Sequence, residues 1–155
     1  MMKYTVIRDT REHRDKGWTF AGSTRCVGTE TTKLDTGDYS LKGMEELFCI
    51  ERKGSVSEFA RNVTENRFEK ELKRLESFKY PFIILEFEMS DIIDYPKNSG
   101  IPYNKRNQLR FRGPFILKRL IELQMQYKTK ILICGSRGRE VASSIFKRVV
   151  EIESK

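Results

Sequence analysis

The run "PFIIL", Pro81 to Leu85, constrains the fold of this chain more than any other stretch. Its apolar side chains follow one another without a polar break, so they cannot alternate between core and water. As a strand, the run has to be covered on both faces. A sheet with helices on each side meets that demand, and the remaining sequence supplies them. With 155 residues the chain has room for one domain with a proper core, taken as residues 1–155.

"YTVIRD", Tyr4 to Asp9, reads as a short β-branched strand entering the core. Thr10 to Thr29, rich in Gly, Thr and charge, reads as loop with at most a turn of helix. "TTKLDTGDYSLKG" fits two short strands around a turn at Gly37, with Asp38 just beyond it, and "LFCIER" is the next strand. Then the period changes. Ser55 and Ser57 are candidate N-caps of a helix through Glu58, Phe59 and Val63. From Asn66 onward, Phe68, Leu72, Leu75 and Phe78 fall on one helical face. Pro114 suits the first turn of a helix running to about Tyr127, "KILICG" is a last strand, and Arg139 to Ile152 a last helix. The order, roughly βββαβαβα, predicts an α/β fold: a mixed sheet flanked by helices on both faces. Pro96 to Gly113 is the one long irregular stretch, and such a loop in a compact domain is usually functional or disordered.

Hydrophobic residues make up 38% and charged residues 34%, with a net charge of +8. That balance favours a polyanionic partner, nucleic acid before an anionic membrane surface, although a merely solvated basic surface has the same composition. Cys26, Cys49 and Cys134 are odd in number and lack a Cys-x-x-Cys arrangement. They argue against a disulfide framework or structural zinc and for a reducing compartment. His13 is the only histidine, which leaves little for a histidine zinc site or a serine triad. The start, "MMKYTVIRD", has no hydrophobic signal core, and no apolar run reaches membrane-spanning length. The expected location is the cytoplasm, with the nucleic acid, and no membrane partner is expected.

"FCIERKGSVSEF" contains a strand that ends in charge rather than in turn residues. Side chains alternate along a strand, so Glu51 and Lys53 point one way and Arg52 the other. If "DYSLKG" and "LFCIER" pair as a hairpin, Asp38 lies beside Glu51 and Lys53. Two carboxylates without a counter-charge raise each other's pKa, and a divalent cation relieves this. Mg²⁺ takes one or two carboxylates and leaves positions for water and phosphate. It polarises a phosphoryl oxygen and acidifies a water, while a nearby ammonium stabilises developing charge. On spacing alone, however, Asp…Glu-x-Lys is a weak pattern that a surface salt-bridge cluster also fits.

The blocks "VIRDTREH", "LDTGDYSL", "CIERKGSVSEF" and "NRFEKELKRL" follow one another in an order that resembles the nuclease domain of the XPF family of structure-specific endonucleases. "PFIILEFE" and "KILICGSRGREVASSIFKRV" look like that family's later strand and final strand–helix, so the resemblance spans nearly the whole chain, in the manner of compact stand-alone phage or bacterial forms. It implies a restriction-endonuclease-like core and a DNA endonuclease dependent on Mg²⁺ or Mn²⁺, acting on branched or flap DNA in repair, recombination or phage replication. Position by position, it implies Asp38 and Glu51 as metal ligands, with the Arg52 backbone carbonyl as a third. Lys53 becomes the water-orienting or charge-stabilising group. Asp9, Arg11 and Glu12 line the same pocket, Glu12 near a second metal or outer-shell water and Asp9 holding Arg11 or Arg52. Arg67 becomes a phosphate contact. One departure is Glu58, an acid five residues after Lys53 where the family has an Asp at four. Another is the tandem helix-hairpin-helix domain of eukaryotic and archaeal relatives, which this sequence does not contain and whose absence puts flap specificity in doubt. A catalytically inactive DNA-binding module, or a regulatory subunit of another nuclease, is the rival reading.

Other features admit two readings each. Arg52 pairs structurally with Asp9 or Glu12, or serves function. Asp35 fits a turn cap better than a ligand. Trp18 and Phe20 fit a loop anchor better than a base-stacking pair. Lys97, Lys105, Arg106, Arg110 and Arg112, interleaved with Tyr103 and Phe111 and without an acid between Pro96 and Gly113, fit a mobile DNA-gripping loop better than a merely solvated basic one. The helix from Pro114 is apolar around more than one face, so it is either buried on both sides or part of a homodimer contact.

Overall fold

The computed structural model describes residues 2–155. Six strands form one sheet: β1 (Tyr4–Arg8), β2 (Cys26–Thr31), β3 (Tyr39–Leu41), β4 (Phe48–Lys53), β5 (Tyr80–Leu85) and β6 (Lys130–Ile133). The spatial order is β2-β1-β3-β4-β5-β6. β1 and β4 are antiparallel to β3, whereas β1–β2, β4–β5 and β5–β6 are parallel. The helices are α1 (Val56–Thr64), α2 (Arg67–Leu75), α3 (Met89–Ile93), α4 (Gly113–Gln126) and α5 (Gly138–Glu153). The sheet is mixed and covered by helices on both sides, as the unbroken apolar run requires.

That run splits its side chains between two cores. Ile83 and Leu85 join Cys49, Phe59, Phe68, Leu72, Ile116 and Leu120 under α1, α2 and α4. Ile84 joins Phe48, Ile50, Tyr39 and Phe146 under α5. Trp18 and Phe20 belong to this second core, Trp18 stacked on Tyr39 at 4.9 Å and Phe20 edge-on to Phe146 at 5.0 Å. They anchor the loop between β1 and β2, which removes base stacking as their role.

Several elements differ from expectation. Thr10–Thr29 is not loop throughout, because Cys26 begins β2. This edge strand buries Cys26 alone and contains Gly28 at φ +155, so it has no apolar alternation to read; its ladder to β1 holds it. Only one strand, β3, flanks the Gly37 turn, since residues 32–34 are irregular. Gly37 has φ +96, and a Cβ there would lie 2.8 Å from that of Cys49. The five-residue α3, too short for a helical period, lies where none was foreseen. The stretch between Pro96 and Gly113 contains a 3-10 turn, Tyr103–Gln108, and stacks Phe111 on Phe115 at 4.0 Å, so it is partly structured. α4 buries Ile116, Leu120 and Leu123, leaving Ile121 and Met125 as its exposed large apolar residues.

Candidate active site

The site lies where β3 ends and β4 runs on. Tyr39 pairs with Ile50, and the Asp38 N–H donates to the Ile50 carbonyl at 2.9 Å, which is the hairpin register the sequence suggested. One step further, β3 has no residue left to pair with Arg52. The Asp38 carboxylate takes its place and accepts the Arg52 N–H at 2.8 Å. On the other side of β4, the Lys53 carbonyl accepts the Glu86 N–H at 2.8 Å. Backbone groups of successive residues alternate in direction along a strand, so the Arg52 carbonyl faces the Asp38 edge. β1 closes the group from behind, with the Asp9 N–H donating to the Asp38 carbonyl at 2.8 Å.

Glu51 and Lys53 share one face of β4, and Arg52 takes the other. The Lys53 ammonium, 16% exposed, sits 2.9 Å from a carboxylate oxygen of Glu71 on α2. Arg52 is enclosed on the opposite side. Its Nε and Nη2 donate to Glu12 at 2.8 and 3.1 Å, and its Nη1 donates to Glu86 at 2.8 Å. Arg52 therefore pairs with Glu12, not Asp9, and also with Glu86, which sequence reasoning had not singled out.

Two lobes of a cleft, about 400 and 540 Å³, share Arg11, Asp38, Glu51, Lys53 and Glu58 in their walls. A larger hollow of about 630 Å³ lies beside the basic loop at Lys97, Tyr103, Arg106 and Arg112, away from the carboxylates. Burial pushes the Asp38 carboxyl up to about 6, against the pull of the Arg52 N–H and the Lys53 charge. Burial and the neighbouring Asp38 and Glu71 charges push Glu51 well above the usual carboxylate range. Burial alone would depress Lys53, but the surrounding Glu71, Glu51 and Asp38 raise it. Acid thus exceeds base in this part of the cleft.

The outlying acids are already engaged. Asp9, buried, accepts the Arg11 N–H and Nε on one oxygen and the Leu34 N–H, at 2.7 Å, on the other. These bonds outweigh burial and hold its pKa below the usual value. It braces the turn beside the site and fixes Arg11, whose Nη2 also reaches the Leu34 carbonyl at 2.6 Å. Glu12 accepts from Arg52 and from the His13 N–H at 2.8 Å, so its oxygens are spoken for although it lines the cleft. Glu58 stands exposed on the rim. Asp35 makes no side-chain hydrogen bond among the described residues and lies on the cleft wall rather than capping the turn.

Arg67 lies on the same wall, paired to Glu65 at 3.0 Å, and is joined there by Lys70 and Arg74. The spacing i, i+3, i+7 places all three on one stripe of α2. Lys105, Arg106, Arg110 and Arg112 are not at the carboxylates. Arg110 lies over Phe111 at 5.1 Å and lines a groove on the other flank of α1 with Arg61. Arg106 covers Tyr103 at 5.6 Å, and Arg112 donates to the Arg106 carbonyl at 3.0 Å. Glu71, Lys70 and Arg74 were missed from sequence. A signal for Glu71 existed: it is an acid three residues beyond Phe68 and next to Leu72, on the apolar face of its helix.

Among the described residues, no three His, Cys, Asp or Glu side chains form a ready-made metal cage. Asp38 and Glu51 nonetheless suit a hard divalent cation. They are oxygen donors, both are raised in pKa by burial and crowding, and the Arg52 carbonyl faces the same edge.

A family model described as the ERCC4 domain matches residues 8–146. No curated protein matches the chain. Among solved structures, XPF from Aeropyrum pernix aligns at 20% identity with a TM-score of 0.62, over 94% of this chain and 61% of that one. XPF from Aeropyrum pernix in complex with DNA aligns at 21% identity and TM-score 0.65, over 96% of this chain and 66% of that one. The chain thus corresponds to about two thirds of the length of those structures and has the restriction-endonuclease-like fold of XPF. No helix among the described residues is long and apolar enough to cross a membrane. With the matched residues running from the end of β1 into α5, this chain belongs to the ERCC4 domain family.

Proposed function

We propose that the protein is a DNA endonuclease that hydrolyses phosphodiester bonds with the help of Mg²⁺ or Mn²⁺, on branched or flap-containing DNA. The observation that carries this reading is the convergence of Asp38, Glu51 and Lys53 at one sheet edge, beside a basic stripe on α2. Family membership and the DNA in the second solved relative support it.

Asp38, Glu51 and the Arg52 carbonyl would hold the cation, which when bound supplies Lewis-acid stabilisation of charge on the phosphoryl oxygens. The remaining work falls to side chains. Arg67, Lys70 and Arg74 attract a phosphodiester backbone and set its path along the cleft. Arg11, locked by Asp9 and Leu34, presents a fixed guanidinium at the rim. The Lys53 ammonium stabilises the negative charge that grows as water adds to phosphorus and the P–O3′ bond breaks, leaving 5′-phosphate and 3′-hydroxyl ends. Arg52, with Glu12 and Glu86, is scaffold: it stiffens the end of β4 so that Asp38 and Glu51 keep their separation. Lys105, Arg106, Arg110 and Arg112 form a second DNA contact across α1.

The cleft is built from one chain, so a homodimer is not needed to complete it; sedimentation at micromolar concentration tests self-association. The test of the enzyme is cleavage of labelled single-stranded, duplex, splayed-arm and 3′- and 5′-flap DNA with Mg²⁺, Mn²⁺ or chelator. Metal-dependent cuts are expected, lost on Asp38→Asn and Lys53→Ala, while Asp38→Asn binds DNA as tightly as wild type or tighter. Tight binding without cutting on every substrate would instead identify an inactive DNA-binding module or a subunit that needs a partner.

A further inference from the structure

We propose that Glu71 is a third carboxylate of the cation site, and that Lys53 occupies this site as a resident cation which an incoming divalent ion displaces. The proposal rests on the reading of the cleft as a metal site.

Glu71 is 6% exposed, one of four buried polar or charged residues in the described chain. It lies on the inward face of α2 with Phe68, Leu72 and Leu75. A carboxylate in such a place is costly unless it is compensated. Its compensation is the Lys53 ammonium, 2.9 Å away. A salt bridge kept only to join α2 to the sheet needs one acid and one base. Here the acid also lines one cleft wall with Glu51, whose charge it opposes. Two carboxylates crowded in this way repel unless a proton or a cation lies between them.

The ammonium feels Glu71, Glu51 and Asp38 together. Three carboxylates around one ammonium leave two negative charges uncompensated when all are ionised, whereas a divalent ion in place of the ammonium leaves one. With the ion in place, Lys53 is no longer needed by the acids. Its side chain is then available to the phosphate that enters along α2. Glu71 thereby links two events, ion entry and the release of Lys53 toward substrate, and the sheet edge alone provides neither. An uncharged glutamine at this position would keep the helix packing and lose the third charge.

The test is Mn²⁺ binding to the DNA-free protein, read from the paramagnetic resonance signal of free Mn²⁺, for wild type, Asp38→Asn, Glu71→Gln and Lys53→Met. Near-ultraviolet circular dichroism establishes that each variant is folded. Removing one unit charge within a few ångströms of a divalent ion changes affinity by about tenfold or more. Glu71→Gln is therefore expected to weaken Mn²⁺ binding by at least that factor, and Lys53→Met to strengthen it similarly. Unchanged affinity in Glu71→Gln, with binding still lost in Asp38→Asn, overturns the role of Glu71 and leaves the metal-site reading standing. No rise in Lys53→Met overturns the resident cation, and this variant carries the test alone if Glu71→Gln does not fold. Wild type that binds no Mn²⁺ overturns both readings together.

Discussion

Arg52 holds two acids at once, and its guanidinium is 8% exposed while Glu12 is 6% exposed. Removing it leaves Glu12 and Glu86 without a counter-charge in a low-dielectric setting. Arg52→Met is expected to cost about 3–5 kcal/mol at pH 7, measured by urea denaturation. A loss below about 1 kcal/mol would show that the network is not a prop of the fold. Burial pushes Glu12 up, but the hydrogen bonds from Arg52, the His13 N–H and Tyr39, with the Arg52 charge, together outweigh it and leave its pKa below the usual 4.5. The stability from this lowered pKa is present above 4.5 and is lost as pH falls through the folded value, so the deficit of Arg52→Met shrinks in acid. Asp38 has the opposite sign. Its pKa is raised by burial from 3.8 to about 6, so its protonated form suits the fold and stability is lost as pH rises through about 6. In chelator, Asp38→Asn is expected to be more stable than wild type by up to about 3 kcal/mol at pH 8 and equal to it at pH 3. Equal stability at both pH values would contradict the burial of that charge.

At the scale of elements, α3 and α4 meet at a contact that only glycine permits. A Cβ on Gly113 would lie 1.9 Å from the Ile93 carbonyl oxygen. The Gly113 N–H donates to the Tyr95 carbonyl at 3.1 Å, which fixes the start of α4 against the end of α3. Gly113→Ala is expected to cost about 3 kcal/mol by forcing the two helices apart, and to lower the melting temperature on the order of 10 °C. A melting temperature unchanged in differential scanning calorimetry would mean the two helix ends do not meet. α1 carries consequences on both flanks, since Glu58 and Asn62 face the cleft while Arg61 and Thr64 face the groove beneath Arg110 and Phe111. Its start is set by Ser55, whose hydroxyl accepts the Glu58 N–H at 3.3 Å.

For the whole molecule, a net charge of +8 coexists with an acid-rich cleft. The positive charge is arranged around the acids, on the α2 stripe and on the loop across α1, which suits a chain drawn across the site by its phosphates. Affinity for DNA is therefore expected to fall on the order of 10³-fold between about 50 and 200 mM salt. Replacing Lys70 and Arg74 with Ala should lower the slope of log affinity against log salt by roughly one for each residue. Fluorescence anisotropy over a salt series decides it: a flat response rules out backbone contacts as the source of binding. An unaltered slope in the double variant moves the contact to the loop.

Periodicity and local chemistry determined much of this protein. The unbroken apolar run required a sheet covered on both sides, and alternation placed Glu51 with Lys53 and against Arg52. The Ser55 cap and the face formed by Phe68, Leu72 and Leu75 located α1 and α2. These signals are local, because each depends on side chains a few positions apart. The tertiary structure decided what depends on distance in sequence. It turned Trp18 and Phe20 inward, made an edge strand of Cys26–Thr31 through pairing with β1, and gave Arg52 to Glu86 as well as Glu12. It also brought Glu71 from a helix to the strand lysine it neutralises. No spacing rule reports such pairings, because a buried charge takes its partner from whatever element the packing sets beside it.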